Sequence, residues 1–218
     1  MRACIDSGTR GKDAPDPSIY GFSAQNPPCI IVSLPDGGQK NMIYTSRYRS
    51  PLGVIFLAAD PVGLTGLWFD GQKHFARALP TGYTEAETPV LREAKCWLDR
   101  YFAGKNPASL PPLHPVDTPF RKAVWEILLQ IPYGTTATYG DIAARLAKRM
   151  GKEKIAAQAV GGAVGHNAIS ILIPCHRVVG ANGSLTGYAG GIDRKIALLE
   201  LEHTDMRRLF VPKKGTAL

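Results

Sequence analysis

Residues 118–165 read TPFRKAVWEILLQIPYGTTATYGDIAARLAKRMGKEKIAAQAVGGAVG, and their reading decides the fold of the C-terminal half. Thr118 and Pro119 form an N-cap and first-turn pair. The threonine oxygen can hold an orphan helix N–H, and proline at the first position has no N–H to lose. Phe120, Ala123, Val124, Ile127, Leu128 and Ile131 then recur at helical spacing. IPYGTT breaks that helix, and Thr138 is placed to cap a second one through Tyr139, Ile142, Ala143 and Leu146. A basic loop, KRMGKEK, leads to a third helix over IAAQAVGGAVG. Helix, loop and helix with a glycine-containing turn is the outline of a helix-turn-helix, an outline that many helical pairs in enzymes share.

The third helix is nearly bare. Ala156, Ala157, Ala159, Gly161, Gly162, Ala163 and Gly165 leave little bulk on several sides. A glycine inside a helix costs about 1 kcal/mol relative to alanine, so three of them need a reason. Close approach of another surface supplies one, either a packed helix or a nucleic-acid groove.

Downstream, ILIPCHRVVG at residues 171–180 interrupts a strand-like apolar run with Pro174, Cys175, His176 and Arg177. A lone cysteine there can be simple core. A thiol becomes a nucleophile when a neighbour stabilises its thiolate or takes its proton. Adjacent residues in extended chain point to opposite faces, so a water can bridge Cys175 and His176. A histidine base needs an orienting partner. Asn182-Gly183 marks a tight turn, and a last helix is expected from Ile192 to Glu202. On that helix Glu202 falls between Leu198 and Leu199, whereas Glu200 turns toward Asp193. A core-facing carboxylate requires a partner: either His176, or Lys195 or an arginine in an ordinary salt bridge.

Upstream, MIYTSRY, GVIFLAAD and LTGLWFD are short β-branched and aromatic runs separated by turns, which predicts a small antiparallel sheet. A helix is expected from Glu85 to Phe102, with Val90, Leu91, Ala94, Leu98, Tyr101 and Phe102 inward. AGKNPASLPPLHPVDTP places five prolines in 17 residues and reads as a linker. Residues 1–38, rich in Pro, Gly, Ser and Asp, read as a poorly ordered lead-in. The expected organisation is a lead-in over 1–38, an N-terminal α/β domain over 39–110, a C-terminal domain over 111–204 and a basic tail over 205–218.

The 218 residues carry 44% hydrophobic and 20% charged side chains, an ordinary globular composition. No apolar run reaches the ~18 residues of a membrane span, and the N-terminus lacks a secretory apolar stretch. An intracellular, cytoplasmic protein is expected. Residues 1–117 carry 12 Lys and Arg against 11 Asp and Glu, whereas residues 118–218 carry 14 against 7. A basic half beside a neutral one is the footprint of nucleic-acid binding. Cys4, Cys29, Cys96 and Cys175 form no CxxC pair and are expected as free thiols. A metal site from Cys4, Cys29 and His74 or His114 has no spacing support, so neither metal nor cofactor is expected.

NAISILIPCHRVVGANGSLTGYAGGIDRKIALLELE, residues 167–202, closely resembles the active-site region of the O6-alkylguanine-DNA alkyltransferases, also called methylated-DNA–protein-cysteine methyltransferases. The resemblance runs from about Thr118 to Glu202 and centres on Pro174-Cys175-His176-Arg177-Val178; residues 41–103 resemble the family's more variable N-terminal domain. It implies an α/β (α+β) protein: a small sheet-plus-helix domain, then a mostly helical, winged-helix-like domain carrying the helix-turn-helix. It implies single-turnover repair, in which a damaged guanine is flipped out of duplex DNA and its O6-alkyl group moves irreversibly to Cys175. O4-alkylthymine is a second candidate substrate.

By the same resemblance His176 is the water-mediated base and Glu202 its orienting residue. Tyr139 rotates the target phosphate and assists the guanine leaving group, and Asn167 orders the active-site strand and base pocket. Tyr188 and Ala189 belong to the loop over the base, and Ser170 stands where some relatives have proline in the pocket wall. Ala159, Gly161 and Gly162 let the recognition helix enter the minor groove. Gln158 stands where the family usually places an arginine. Lys148, Arg149, Lys152 and Arg177 complete the expected DNA contacts. The expected partner is double-stranded DNA bound by a monomer. A lesion-binding relative without transfer lacks the cysteine, and a Cys-His hydrolase is opposed by the basic half and the missing oxyanion-type motif.

Overall fold

A computed structural model describes residues 42–77 and 79–213 of the chain, so the lead-in over 1–38, with Cys4 and Cys29, lies outside the described residues. β1 (Ile43–Ser50), β2 (Gly53–Ala59) and β3 (Leu64–Phe69) form an antiparallel meander, Tyr44 opposite Ala59 and Ile55 opposite Phe69. β4 (Tyr83–Glu85) completes a sheet of order β3-β2-β1-β4, but it runs parallel to β1. The sheet is therefore antiparallel only in part.

The helix expected from Glu85 begins later. α1 (Pro89–Phe102) has Thr88 as N-cap, whose side chain accepts from Leu91 N, and Pro89 as its first residue. A helix begun at Glu85 would carry Pro89 past its first turn, where proline removes a hydrogen bond and clashes with the preceding turn. Leu91, Ala94, Leu98 and Tyr101 are fully buried on the inner side of α1, each of the larger ones worth ~1.5–3 kcal/mol of burial.

The proline-rich segment does not hang free between the halves. Leu64 N donates to Pro112 O at 2.7 Å, and His114 N donates to Leu64 O at 2.8 Å. Further along the same strand, Leu67 N donates to Ala168 O and Ser170 N returns to Leu67 O. The edge of β3 is thus covered by the linker and by the stretch leading to Cys175. That arrangement removes a bare sheet edge and welds the two halves.

α2 (Pro119–Leu128) is capped by Thr118 as expected. α3 (Tyr139–Arg149) opens with a reciprocal capping box between Thr138 and Asp141. α4 (Ala157–Gly165) has no side-chain cap. Its position comes from α2, where fully buried Trp125 donates Nε1–H to Ala163 O at 2.9 Å. β5 (Ala137–Thr138) and β6 (Val178–Val179) form a short parallel pair, Ala137 opposite Val178. That pair sets the start of α3 beside the segment following Cys175. α5 (Ile192–Leu201) ends with Glu202 as its C-cap.

Two further expectations are corrected. Residues 205–210, read as the start of a basic tail, fold back through a 3-10 turn (Met206–Arg208), and Leu185 N donates to Phe210 O. Cys96 is disulfide-bonded rather than free, whereas Cys175 is a free thiol. Among the described residues no helix is long and apolar enough to cross a membrane.

Candidate active site

Cys175 does not lie on a strand. Cys175–Arg177 form a 3-10 turn between Pro174 and β6. Pro174 has no N–H for a ladder, and the preceding backbone closes on itself through Leu172 N to Ser170 O and Cys175 N to Ile173 O. Ile171 takes a φ of 69°, a left-handed conformation that costs a β-branched residue ~1–3 kcal/mol. The bonds from residues 168–170 to β3 hold that strained turn in place.

The turn buries its first two residues: Cys175 is 3% exposed and His176 0%. Asn167 Nδ2 reaches Cys175 Sγ at 3.0 Å and also donates to Ile173 O at 2.8 Å. Its Oδ1 accepts from Ile169 N. One amide therefore fixes both ends of the loop and touches the thiol. Burial pushes the Cys175 thiol above its ordinary value, while the Asn167 hydrogen bond and the Lys195 charge pull it back.

Glu202, 1% exposed, is the electrostatic hub. Its Oε1 accepts from His176 Nε2 and from Tyr101 Oη, both at 2.7 Å, and from Arg177 Nη2 at 2.9 Å. Its Oε2 accepts from Arg177 Nε at 2.8 Å and from Gly134 N at 3.3 Å. Gly134 must be glycine: its φ is 74°, and a Cβ would sit 2.8 Å from Glu202 O. Burial alone would raise the carboxyl pKa, but the bonds from His176 and Arg177 hold it well below the ordinary carboxylate range.

An ionised carboxylate only accepts, so the proton in the His176–Glu202 bond belongs to Nε2. Nδ1 is then the basic nitrogen. It is buried and has no hydrogen-bond partner among the described residues. Burial lowers the imidazole below its ordinary 6.5, against the upward pull of Glu202. The shift favours the neutral imidazole. The alternatives left open for Glu202 are both realised in part, since it binds His176 and an arginine. The arginine is Arg177, and Lys195 goes elsewhere.

Lys195 is fully buried, its Nζ donating to Val178 O and to Thr186 O. Burial brings it down to about 8, with Cys175 acting in the opposite direction. Tyr139, at the start of α3, donates to Thr186 O at 3.4 Å. Burial and then the nearby Cys175 raise its hydroxyl to about 12. Tyr188 packs edge-on to His176, with ring centroids 6.4 Å apart, and its backbone carbonyl accepts from Gly191 N. Ala189 O accepts from Lys73 N of the N-terminal half at 3.0 Å.

The structure thus brings together Cys175, His176, Glu202, Asn167, Tyr139, Ser170, Tyr188 and Ala189. The residues expected to face DNA divide. Gln158, Ala159 and Gly162 are exposed on α4, and no atom lies within 4 Å of a Cβ placed on Gly162. Gly161 is instead buried, facing the Tyr139 ring at 3.8 Å. Arg177 is turned inward, its Nη1 donating to Ile131 O at 2.6 Å and the rest of its guanidinium to Glu202. A buried ionised carboxylate draws the nearest cation inward, which places Arg177 in the hub rather than on the surface. Lys148 and Lys152 are exposed and line a cleft of about 480 Å³ with Gly140, Ala143, Ala147 and Ile155. Arg149 pairs with Glu126 of α2. Sequence reasoning missed Tyr101, Gly134 and Lys195 as site residues; Tyr101 and Lys195 read as ordinary helix positions. Among the described residues, no three His, Cys, Asp or Glu side chains are grouped to hold a metal ion.

Fold and site together define a two-part protein whose helical C-terminal half holds a buried cysteine on Asn167 and, next to it in the chain, a buried His176–Glu202 pair. Residues 43–115 match the model of the 6-O-methylguanine DNA methyltransferase ribonuclease-like domain, and residues 119–204 match that of the 6-O-methylguanine DNA methyltransferase DNA-binding domain. The methylated-DNA–protein-cysteine methyltransferase of Methanosarcina acetivorans is 46% identical over 161 residues, covering 73% of this chain and 98% of the relative. The protein of that name from Haemophilus influenzae is 38% identical, covering 73% of this chain and 86% of its own. The crystal structure of Mycobacterium tuberculosis OGT in complex with DNA superposes with a TM-score of 0.63 at 42% identity, covering 74% of this chain and 92% of that one. The chain belongs to the 6-O-methylguanine DNA methyltransferase family.

Proposed function

We propose that this protein repairs DNA directly, moving the alkyl group of O6-alkylguanine irreversibly onto Cys175, and that it acts inside the cell as a monomer. The observation that carries the reading is a free, buried thiol held by Asn167 beside a histidine whose basic nitrogen is Nδ1. In the step, the Cys175 proton passes to His176 Nδ1 by way of a water, and Sγ forms a bond to the alkyl carbon. The carbon–O6 bond breaks and guanine keeps the electron pair. Glu202 supports the imidazolium formed. Tyr139 and Lys195 flank the reacting group, where a hydroxyl or a cation stabilises the charge that leaves with guanine. The thioether has no route back to a thiol, so each chain acts once.

Guanine O6 lies inside the paired stack, and chemistry there benefits from extruding the base. The bare outer side of α4 suits entry into the minor groove, a common route to distorted or flipped DNA that reads little sequence. Lys148 and Lys152 suit phosphate contacts, which are sequence-independent. Intact-mass measurement after incubation with an O6-methylguanine duplex tests the reading. A gain of one methyl per chain, on the Cys175 peptide, is expected; repeated turnover without a mass change overturns it in favour of a hydrolase.

A further inference from the structure

Besides Tyr101, a second polar group beside the site comes from the N-terminal half. Gln72, 5% exposed, follows β3 and is folded over Ser170, which is 1% exposed. Gln72 Oε1 accepts from Phe69 N at 2.9 Å and from Ser170 Oγ at 3.2 Å. Two donors on that oxygen fix the orientation of the amide, so its NH2 end points away from both. That Nε2 is buried and has no hydrogen-bond partner among the described residues. The buried Tyr188 hydroxyl lies within hydrogen-bonding reach of Ser170 and in the field of Cys175, so Ser170 links Gln72 to the side of the pocket that faces the thiol. The next residue after Gln72, Lys73, donates its N–H to Ala189 O and so anchors the loop that carries Tyr188.

Burying a polar group without a partner is unfavourable. The Gln72 amide is such a group: it lies against Ser170, and no described residue accepts from its Nε2. An apolar wall would have avoided that cost, so this amide is suited to an acceptor brought by the ligand. We propose that Gln72, Ser170 and Tyr188 form a polar cap on the alkyl pocket. The cap selects O6 substituents that carry a hydrogen-bond acceptor beyond the transferred carbon, such as a 2-hydroxyethyl group, over apolar substituents of the same size. This rests on the alkyl-transfer reading. It adds to that reading a specificity-determining residue, Gln72, from outside the domain that holds the cysteine.

The test compares single-turnover rates on duplexes carrying O6-(2-hydroxyethyl)guanine and O6-propylguanine, with O6-methylguanine in parallel. One new neutral hydrogen bond favours the hydroxyethyl substrate by roughly three- to ten-fold in the wild-type protein. Gln72→Leu, similar in volume but without the amide, should bring that ratio close to 1, and Ser170→Ala should reduce it part of the way. A merely structural loss would slow both substrates together and leave the ratio standing, which overturns the proposal. A wild-type ratio near 1 with methyl transfer intact also overturns it and leaves the transfer reading in place. Absence of methyl transfer in the wild-type protein overturns both.

Discussion

The two sides of the C-terminal half solve opposite problems. Around Cys175 the chain packs ionisable groups into the interior, and nearly every charge there is satisfied by another part of the fold. On the outer side of α4 it does the reverse, presenting Ala157, Gln158, Ala159 and Gly162 with almost no bulk. Burial tunes the first region, since desolvation raises the thiol and lowers the imidazole and Lys195. Emptiness shapes the second. Chemistry and binding should therefore separate on mutation.

The largest expected effect breaks the chemistry alone. Cys175→Ala should abolish transfer, because the thiol supplies the bond that forms, while duplex affinity by fluorescence anisotropy stays largely intact. A Cys175→Ala protein that still removed methyl groups would sink the assignment.

Next comes Glu202→Gln. It leaves Arg177 half-buried without its counter-charge and weakens the orientation of His176. Transfer should slow on the order of 10²-fold, with a far smaller change in affinity, and stability should fall by about 3 kcal/mol. An unchanged single-turnover rate would remove Glu202 from the mechanism. The pH dependence follows from the direction of the shifts. His176 must be neutral to act, and its folded pKa lies below 6.5, so the wild-type acid limb should fall below pH 6.5. Removing Glu202 takes away an upward pull and should move that limb lower still. Stability has the same sign. Glu202 has a folded value below its ordinary 4.5, so its contribution is present above pH 4.5 and lost as pH falls. Urea titrations at pH 7 and pH 4 measure it.

On the binding side, Lys148→Ala with Lys152→Ala should weaken duplex affinity alike across sequences. It should flatten the salt dependence by about two units of slope if each lysine meets one phosphate. Adding Arg149→Ala should change less, since Arg149 is already paired with Glu126. A salt slope that does not move would make these residues a solvated surface.

The smallest effect sharpens the comparison most. Gln158→Arg adds charge and stacking to the bare side of α4 and should raise the duplex transfer rate by about 1 kcal/mol, roughly five-fold. The rate on free O6-methylguanine base should not change, because no flipping is needed there. Equal effects on duplex and free base would place Gln158 in the chemical step. A slower duplex reaction would mean that the surface is matched to glutamine.

Much of this molecule is local, and local features are legible in sequence. Thr88 with Pro89 and Thr118 with Pro119 hold helix starts because a cap acts within three residues. The Glu85 start expected for α1 gives way to Thr88 and Pro89 by a rule that is as local. Pro174-Cys175-His176-Arg177 marked the chemistry, and the inward position of Glu202 followed from helical spacing alone. Tertiary structure decided where each polar group finds its partner. Tyr101 meets Glu202 across 101 residues of chain, and Gln72 meets Ser170 across 98. Arg177 and Lys195 look like surface cations in sequence, yet both are drawn inward by acceptors from other elements. The physical reason is the range of the interaction. Capping and periodicity act over one or two turns of chain, whereas the partner of a buried charge is set by which distant segments the core brings together.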